Sequence, residues 1–224
     1  MKRRTIIREM KRLGHRVSEE KFHLNIVGIR ADETRPNRFD DEIYCFFRDG
    51  QGRWQDYTFP ATTDPGTYWL QNPMYPKGTA ILKSGQYDYK IGLHQSRYTS
   101  LVQAAPVTVI RDYDRDAVRD FQNGFTESGY FWINLHRGNV TGTTYEVDRH
   151  SAGCQVFKHV ADFRLFIQLC QMHRSAHGNH FRYTLLDKRA MVRMRRRRTT
   201  AAACILLGLT ALSASLFPLL KQQV

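Results

Sequence analysis

A histidine and a cysteine stand at the two ends of HRGNVTGTTYEVDRHSAGC, residues 136 to 154, and nearly everything between them is small or polar. A cysteine attacks through its thiolate. It therefore needs a neighbour that takes the thiol proton and later hands it to the leaving group, and an imidazole does both near neutral pH. Of the four cysteines, only Cys154, in SAGCQV, has a polar, glycine-bordered setting. Cys45 lies in IYCFF, Cys170 falls on the apolar side of a helical pattern and Cys204 sits in an uncharged segment, where sulfur acts as a small hydrophobe. His136 ends the apolar run YFWINLH, and a return through NVTGTTYEVDRH can bring Cys154 beside it. Gly153 lacks a Cβ, so backbone N–H groups around Cys154 can face a developing oxyanion. From the residues alone, a reactive pair and a mobile surface loop with an idle thiol both stand. The first predicts a thiol that titrates below about 8.5, the free-thiol value.

The pattern His136-Arg137-Gly138, followed by Ser151-Ala152-Gly153-Cys154, resembles the signature of the L,D-transpeptidase catalytic domain, in detail over residues 130 to 157. That resemblance implies a mixed β-sandwich, α+β and mostly β, whose cysteine attacks an amide of peptidoglycan stem peptides and forms a thioester acyl-enzyme. Acyl transfer to an amine then gives a crosslink, and transfer to water gives carboxypeptidase hydrolysis. Carried over by position, it implies Cys154 as nucleophile, His136 as base, Gly153 with Cys154 as the oxyanion region, and Ser151 as the serine that orients the imidazole. Gly138 matches the glycine after the family histidine, displaced one place by Arg137. The chain departs from the pattern at Ala152, where the family has His or Asn, and at Gln155-Val156, where it has an apolar residue and then Arg. Arg137 or Gln155 is the expected substitute contact to substrate. No cofactor enters this chemistry.

Other residues could line the same site. His94, in YKIGLHQSRYTSL, follows a strand pattern and can join Arg97 and Tyr98 in binding a substrate carboxylate. Tyr68 and Trp69 can form an aromatic wall or simply belong to the core. His94, His136, His150 and Cys154 lack the short spacings that preassemble a zinc site. Asp112, Asp114 and Asp116 begin like a calcium loop, but Ala117 replaces the required glycine and no glutamate closes the loop, so a solvated charged segment is expected. No metal is expected.

These residues must be positioned by a sheet. KFHLNIVGIR alternates apolar and polar side chains as a half-buried strand does. DEIYCFFRDGQGRWQDYTF reads as a hairpin about DGQG. Further strands are expected near 79 to 83, 87 to 93, 105 to 112, 130 to 136 and in HFRYTLLD. Helices are expected over 3 to 13 and over VADFRLFIQLCQMHRSAHG, with Phe163, Phe166, Ile167 and Cys170 on the inner face and Gly178 as the stop. With 42% hydrophobic and 12% aromatic residues in 224, the body should fold as one domain. Its expected divisions are a basic arm over 1–20, a catalytic domain over 21–188, a basic linker over 189–198 and a membrane-associated helix over 199–224.

The net charge of +13 calls for anionic partners, but much of it sits in MKRRTIIREMKRLGHR and KRAMVRMRRRR, so a nucleic-acid groove is not expected. AAACILLGLTALSASLFPLL, residues 201 to 220, carries no charge over about the length that spans a hydrocarbon core. Its Ser, Thr, Gly and Pro218 leave an interfacial or re-entrant helix as the alternative. Arg195 to Arg198 before it favour a cytoplasmic body, and the start, charged again soon after TII, does not read as a secretion signal. Peptidoglycan lies on the other side. A phage lysis enzyme acting after the membrane is breached would reconcile the two, as would a cytoplasmic enzyme working on recycled muropeptides or precursors. A different class also fits: a non-catalytic, membrane-tethered module that binds a peptide or glycan.

Overall fold

The structure, a computed structural model, describes residues 1–32, 36–121 and 124–189. The uncharged segment 201 to 220 and Arg195 to Arg198 lie outside the described residues, as does Cys204. Among the described residues, no helix is long and apolar enough to cross a membrane.

The first half of the chain forms α1 (Arg3–Arg12), β1 (Asn25–Arg30), β2 (Asp41–Arg48), β3 (Trp54–Thr62), α2 (Thr67–Gln71), β4 (Thr79–Leu82) and β5 (Gly85–His94). The second half adds β6 (Tyr98–Gln103), β7 (Val107–Asp112), β8 (Thr126–Gly129), β9 (Leu135–Arg137), β10 (Gln155–Phe157), α3 (Val160–His177) and β11 (Phe181–Asp187). The hairpin about DGQG is β2–β3, paired from Asp41↔Ala61 to Arg48↔Trp54. The fold is α+β and mostly β, as the strand-forming runs dictate.

Eight strands close in the order β1-β11-β5-β6-β9-β10-β3-β2, and β4-β7-β8 form a separate three-stranded sheet. The main sheet is mixed, because β9 and β10 run parallel while β2–β3 and β5–β6 are antiparallel. Two stacked layers were expected, and here the sheet closes instead. The physical reason is β1, which bonds both β2 and β11 and so joins what would be two free edges. At β6–β9 a single pair, Leu101↔Leu135, joins the strands.

Two strand expectations change. β1 is buried on both faces rather than one, because α1 covers the outer side of β1–β3. Ile6 and Met10 are buried there, while Arg3 pairs with Asp56 and lies over the Trp54 ring. The run Tyr130 to Asn134 is not strand. Trp132 has φ 58, a left-handed conformation that a ladder cannot pass through, so pairing begins only at Leu135.

One apolar core joins the barrel (Ile43, Leu101, Leu135, Phe157, Tyr183), the small sheet (Leu82, Val109) and α3 (Phe163, Phe166, Cys170). On α3, Leu169 is buried and Ile167 only partly so. Gly178, at φ 84, ends the helix as expected.

Candidate active site

β9 and β10 bring the two ends of the 136–154 stretch together. Their parallel register pairs Leu135 with Gln155 and His136 with Val156, so the next step back sets Cys154 against Asn134. The Asn134 N–H donates to Cys154 Sγ at 3.5 Å, and Asn134 C=O accepts from Gln155 N at 2.9 Å. Between the strands, the return is tied down rather than loose. Thr144 N donates to Lys158 O (2.8 Å), Gly66 N to Ser151 O (2.9 Å) and Trp69 Nε1 to Arg149 O (3.0 Å).

Gly153 is dictated by its surroundings. Its φ is +125, and a Cβ there would stand 2.2 Å from Ala80 O of β4. Only glycine permits this approach. Ser151 closes the turn: its hydroxyl donates to Cys154 O (2.8 Å) and accepts from Gly153 N (3.1 Å). Both of its bonds stay within the turn, so it holds the Cys154 backbone and does not orient the imidazole as expected. The Gly153 amide is likewise taken, which removes one of the two expected oxyanion donors.

Cys154 and His136 both line one cavity of about 1200 Å³, together with His94, Tyr98, Arg137 and Gly138. Cys154 is half-buried, and its thiol donates to Trp132 O at 3.4 Å. No hydrogen bond joins the sulfur to the imidazole. His136 is 5% exposed and its Nδ1 lies 2.7 Å from Arg137 O. A carbonyl only accepts, so Nδ1 carries the proton and Nε2 keeps a lone pair. That Nε2 makes no hydrogen bond and is not an occluded atom, so it opens to the cavity.

Burial pushes the Cys154 thiol up to about 11, with the Asn134 N–H opposing it weakly. Burial, and then the neighbouring His94, hold the His136 imidazole down to about 3. The resting pair is thus neutral thiol and neutral imidazole. A thiol titrating below the free value was expected, and desolvation with no adjacent cation gives the opposite.

His94 reaches the cavity from the end of β5, its ring stacked on His136 at 4.1 Å between centroids and 20° between planes. Burial and Arg97 keep it low in pKa. Tyr98 packs against His94 at 5.5 Å, and Arg137 lies over the Tyr98 ring at 4.4 Å while bonding Val140 O. Gly138 is pressed to Thr144, whose Oγ1 a Cβ would meet at 2.3 Å.

Gln155 departs from expectation. Alternate residues of a strand face opposite sides, and Gln155 points into the barrel, fully buried. It accepts from Tyr183 OH (2.7 Å) and donates to Gly153 O (3.2 Å) and Thr63 O (3.4 Å). It braces the turn from behind and does not line the cavity. Trp69 does line it; Tyr68 instead stacks under Arg149, 3.9 Å from its guanidinium carbon.

Two residues escaped the sequence reading. Asn134 links the sulfur, His94 and the start of β9, and its signal was an amide two places before His136. Gln103 accepts from Phe131 N (3.1 Å) and Ile133 N (3.3 Å), fixing the approach to Asn134. Nothing local in the sequence marks it. Behind Gln155, Arg30 pairs with Asp64 at 2.7 Å, and Arg119 also bonds Asp64. Asp41 accepts from Thr63 N and Oγ1 there, and burial with Asp64 nearby raises its carboxyl to about 7.

The chain matches no protein-family model, no curated protein and no solved structure.

Proposed function

We propose that the chain is a cysteine acyl-transfer enzyme acting on peptidoglycan stem peptides, of the L,D-transpeptidase or L,D-carboxypeptidase type, on a closed variant of that family's mixed sheet. The observation that carries this reading is the shared cavity, whose lining includes both Cys154 and His136, the latter with an unprotonated Nε2. At about 1200 Å³ it exceeds the usual small-molecule pocket and accommodates a peptide. Arg97, Arg137 and Arg149 on its lining suit a carboxylate-bearing ligand. The uncharged segment 201 to 220 would hold the enzyme at a membrane.

The resting thiol points at Trp132 O, so the reaction begins with rotation about the Cys154 Cα–Cβ bond toward His136. The thiol proton passes to Nε2 as sulfur bonds the carbonyl carbon and the carbonyl electron pair moves onto oxygen. When the carbonyl re-forms, the C–N bond breaks and Nε2 returns its proton to the departing amine, leaving a thioester. Water or a second amine repeats the sequence with His136 again as base.

The same neutral pair favours a second reading, a non-catalytic, membrane-tethered module for a peptide or glycan. Product analysis separates the two. With a disaccharide-tetrapeptide, the enzyme yields a shortened or crosslinked stem peptide, and Cys154→Ala yields neither. Binding without turnover in both proteins would establish the module instead.

A further inference from the structure

With the Gly153 amide held by Ser151, the Cys154 amide is left without a hydrogen bond, and one donor is a thin provision for an oxyanion. We infer that the Nε2–H of His94 is the second oxyanion donor, acting with Cys154 N–H on the carbonyl under attack; this rests on Cys154 being the nucleophile.

The tautomer of His94 follows from its neighbours. Gln103 N–H donates to Asn134 Oδ1 at 3.2 Å, which fixes the amide so that Nδ2 faces His94 Nδ1 at 3.1 Å. An NH₂ group only donates, so Nδ1 accepts and the ring proton sits on Nε2. That Nε2 makes no hydrogen bond and is not occluded, and His94 lines the cavity. The two stacked imidazoles therefore present opposite faces of the same chemistry: His136 offers a lone pair and His94 offers a proton. Asn134 also donates its backbone N–H to Cys154 Sγ, so one residue sets both the donor ring and the sulfur. A neutral imidazole suits this task, since it polarises a carbonyl without giving its proton away.

In the step itself, the S–C bond forms and the carbonyl π pair becomes an oxyanion bonded by the two N–H groups. His136 holds the thiol proton throughout. Collapse restores the carbonyl and breaks the C–N bond, and the proton goes from His136 to the amine. His94 gains and loses nothing.

Two reactions of the same thiol in the full chain test this. Acylation by p-nitrophenyl acetate passes through an oxyanion, whereas alkylation by iodoacetamide, a displacement at saturated carbon, does not. His94→Ala should slow acetylation of Cys154 by about 10²–10³-fold, with alkylation kept within about threefold. His94→Gln, whose amide can donate, should recover part of the loss. Equal losses in both reactions would assign His94 to the thiol or to folding and overturn the inference, as would unchanged acetylation. Wild-type protein that gains no acetyl group on Cys154, by intact mass and peptide mapping, overturns the nucleophile reading and this inference together. Acetylated wild type with an equally fast His94→Ala overturns only the inference.

Discussion

His136 and His173 are both buried, at 5% and 0% exposure, and burial lowers the pKa of both, yet their nitrogens meet different fates. At His173, Nδ1 accepts from Leu24 N at 3.0 Å and Nε2 donates to His180 O at 3.0 Å, while His23 packs edge-on at 4.7 Å. Every valence is used. At His136, one nitrogen is tied to Arg137 O and the other is open to a cavity that also holds a thiol. His173 has both ring nitrogens committed, whereas His136 keeps one uncommitted, which is what the proposed role as base requires. The cysteines divide the same way. Cys45 and Cys170 are walled into the core at 0% exposure, whereas Cys154 is half-buried at the cavity wall.

Exchanging each imidazole for an amide gives the sharpest contrast. His136→Gln should lower acyl transfer by about 10²–10⁴-fold, the range for loss of a general base, while leaving the fold intact. His173→Gln should leave acyl-transfer rates within about threefold, since its amide oxygen can still accept from Leu24 N. Rates on a thioester-forming substrate check both, and equal losses would erase the distinction.

Two glycines at positive φ come next. Gly153→Ala meets the Ala80 carbonyl and should destabilise the fold by roughly 3 kcal/mol. Gly178→Ala, beside the His173 cluster, meets nothing within 4 Å and should lose only the backbone share, about 1–3 kcal/mol for a φ of 84 with ψ 179. Urea unfolding measures the pair.

A further contrast lies in acid. Burial holds His173 at about 4 in the folded state, against roughly 6.5 in the unfolded chain. The unfolded chain thus binds the proton first, so this share of stability is complete above about 6.5 and is lost as pH falls toward 4. It amounts to roughly 2–3 kcal/mol. His173→Gln should flatten the fall in unfolding free energy between pH 7 and 4.5 without removing it, because His136 titrates in the same sense.

Local patterns carried much of this into the sequence. The DGQG hairpin, the helix ended by Gly178, most of the inner face of α3, and the polar setting of Cys154 against Cys45 and Cys170 all follow from spacing within about 20 residues. His94 was placed on the same pocket as His136 from its position after a strand. Long-range closure was not visible: nothing in NIVGIR says that β1 bonds β11 as well as β2. The strand expected through Tyr130 to Asn134 failed because Trp132 adopts a left-handed turn that no local residue demands. Gln155 lay next to the cysteine in sequence, yet strand alternation turned it to the opposite face. The raised thiol pKa was equally hidden, since it depends on which groups from β5 and β9 surround the sulfur.

The most direct measurement is to quench the full chain during incubation with a stem tetrapeptide and map the acylated peptides by mass. A thioester on Cys154, absent from Cys45 and Cys170 and lost in Cys154→Ala, is the predicted result. A chain that turns over substrate with Cys154 unmodified, or that binds it without forming any adduct, would contradict the account.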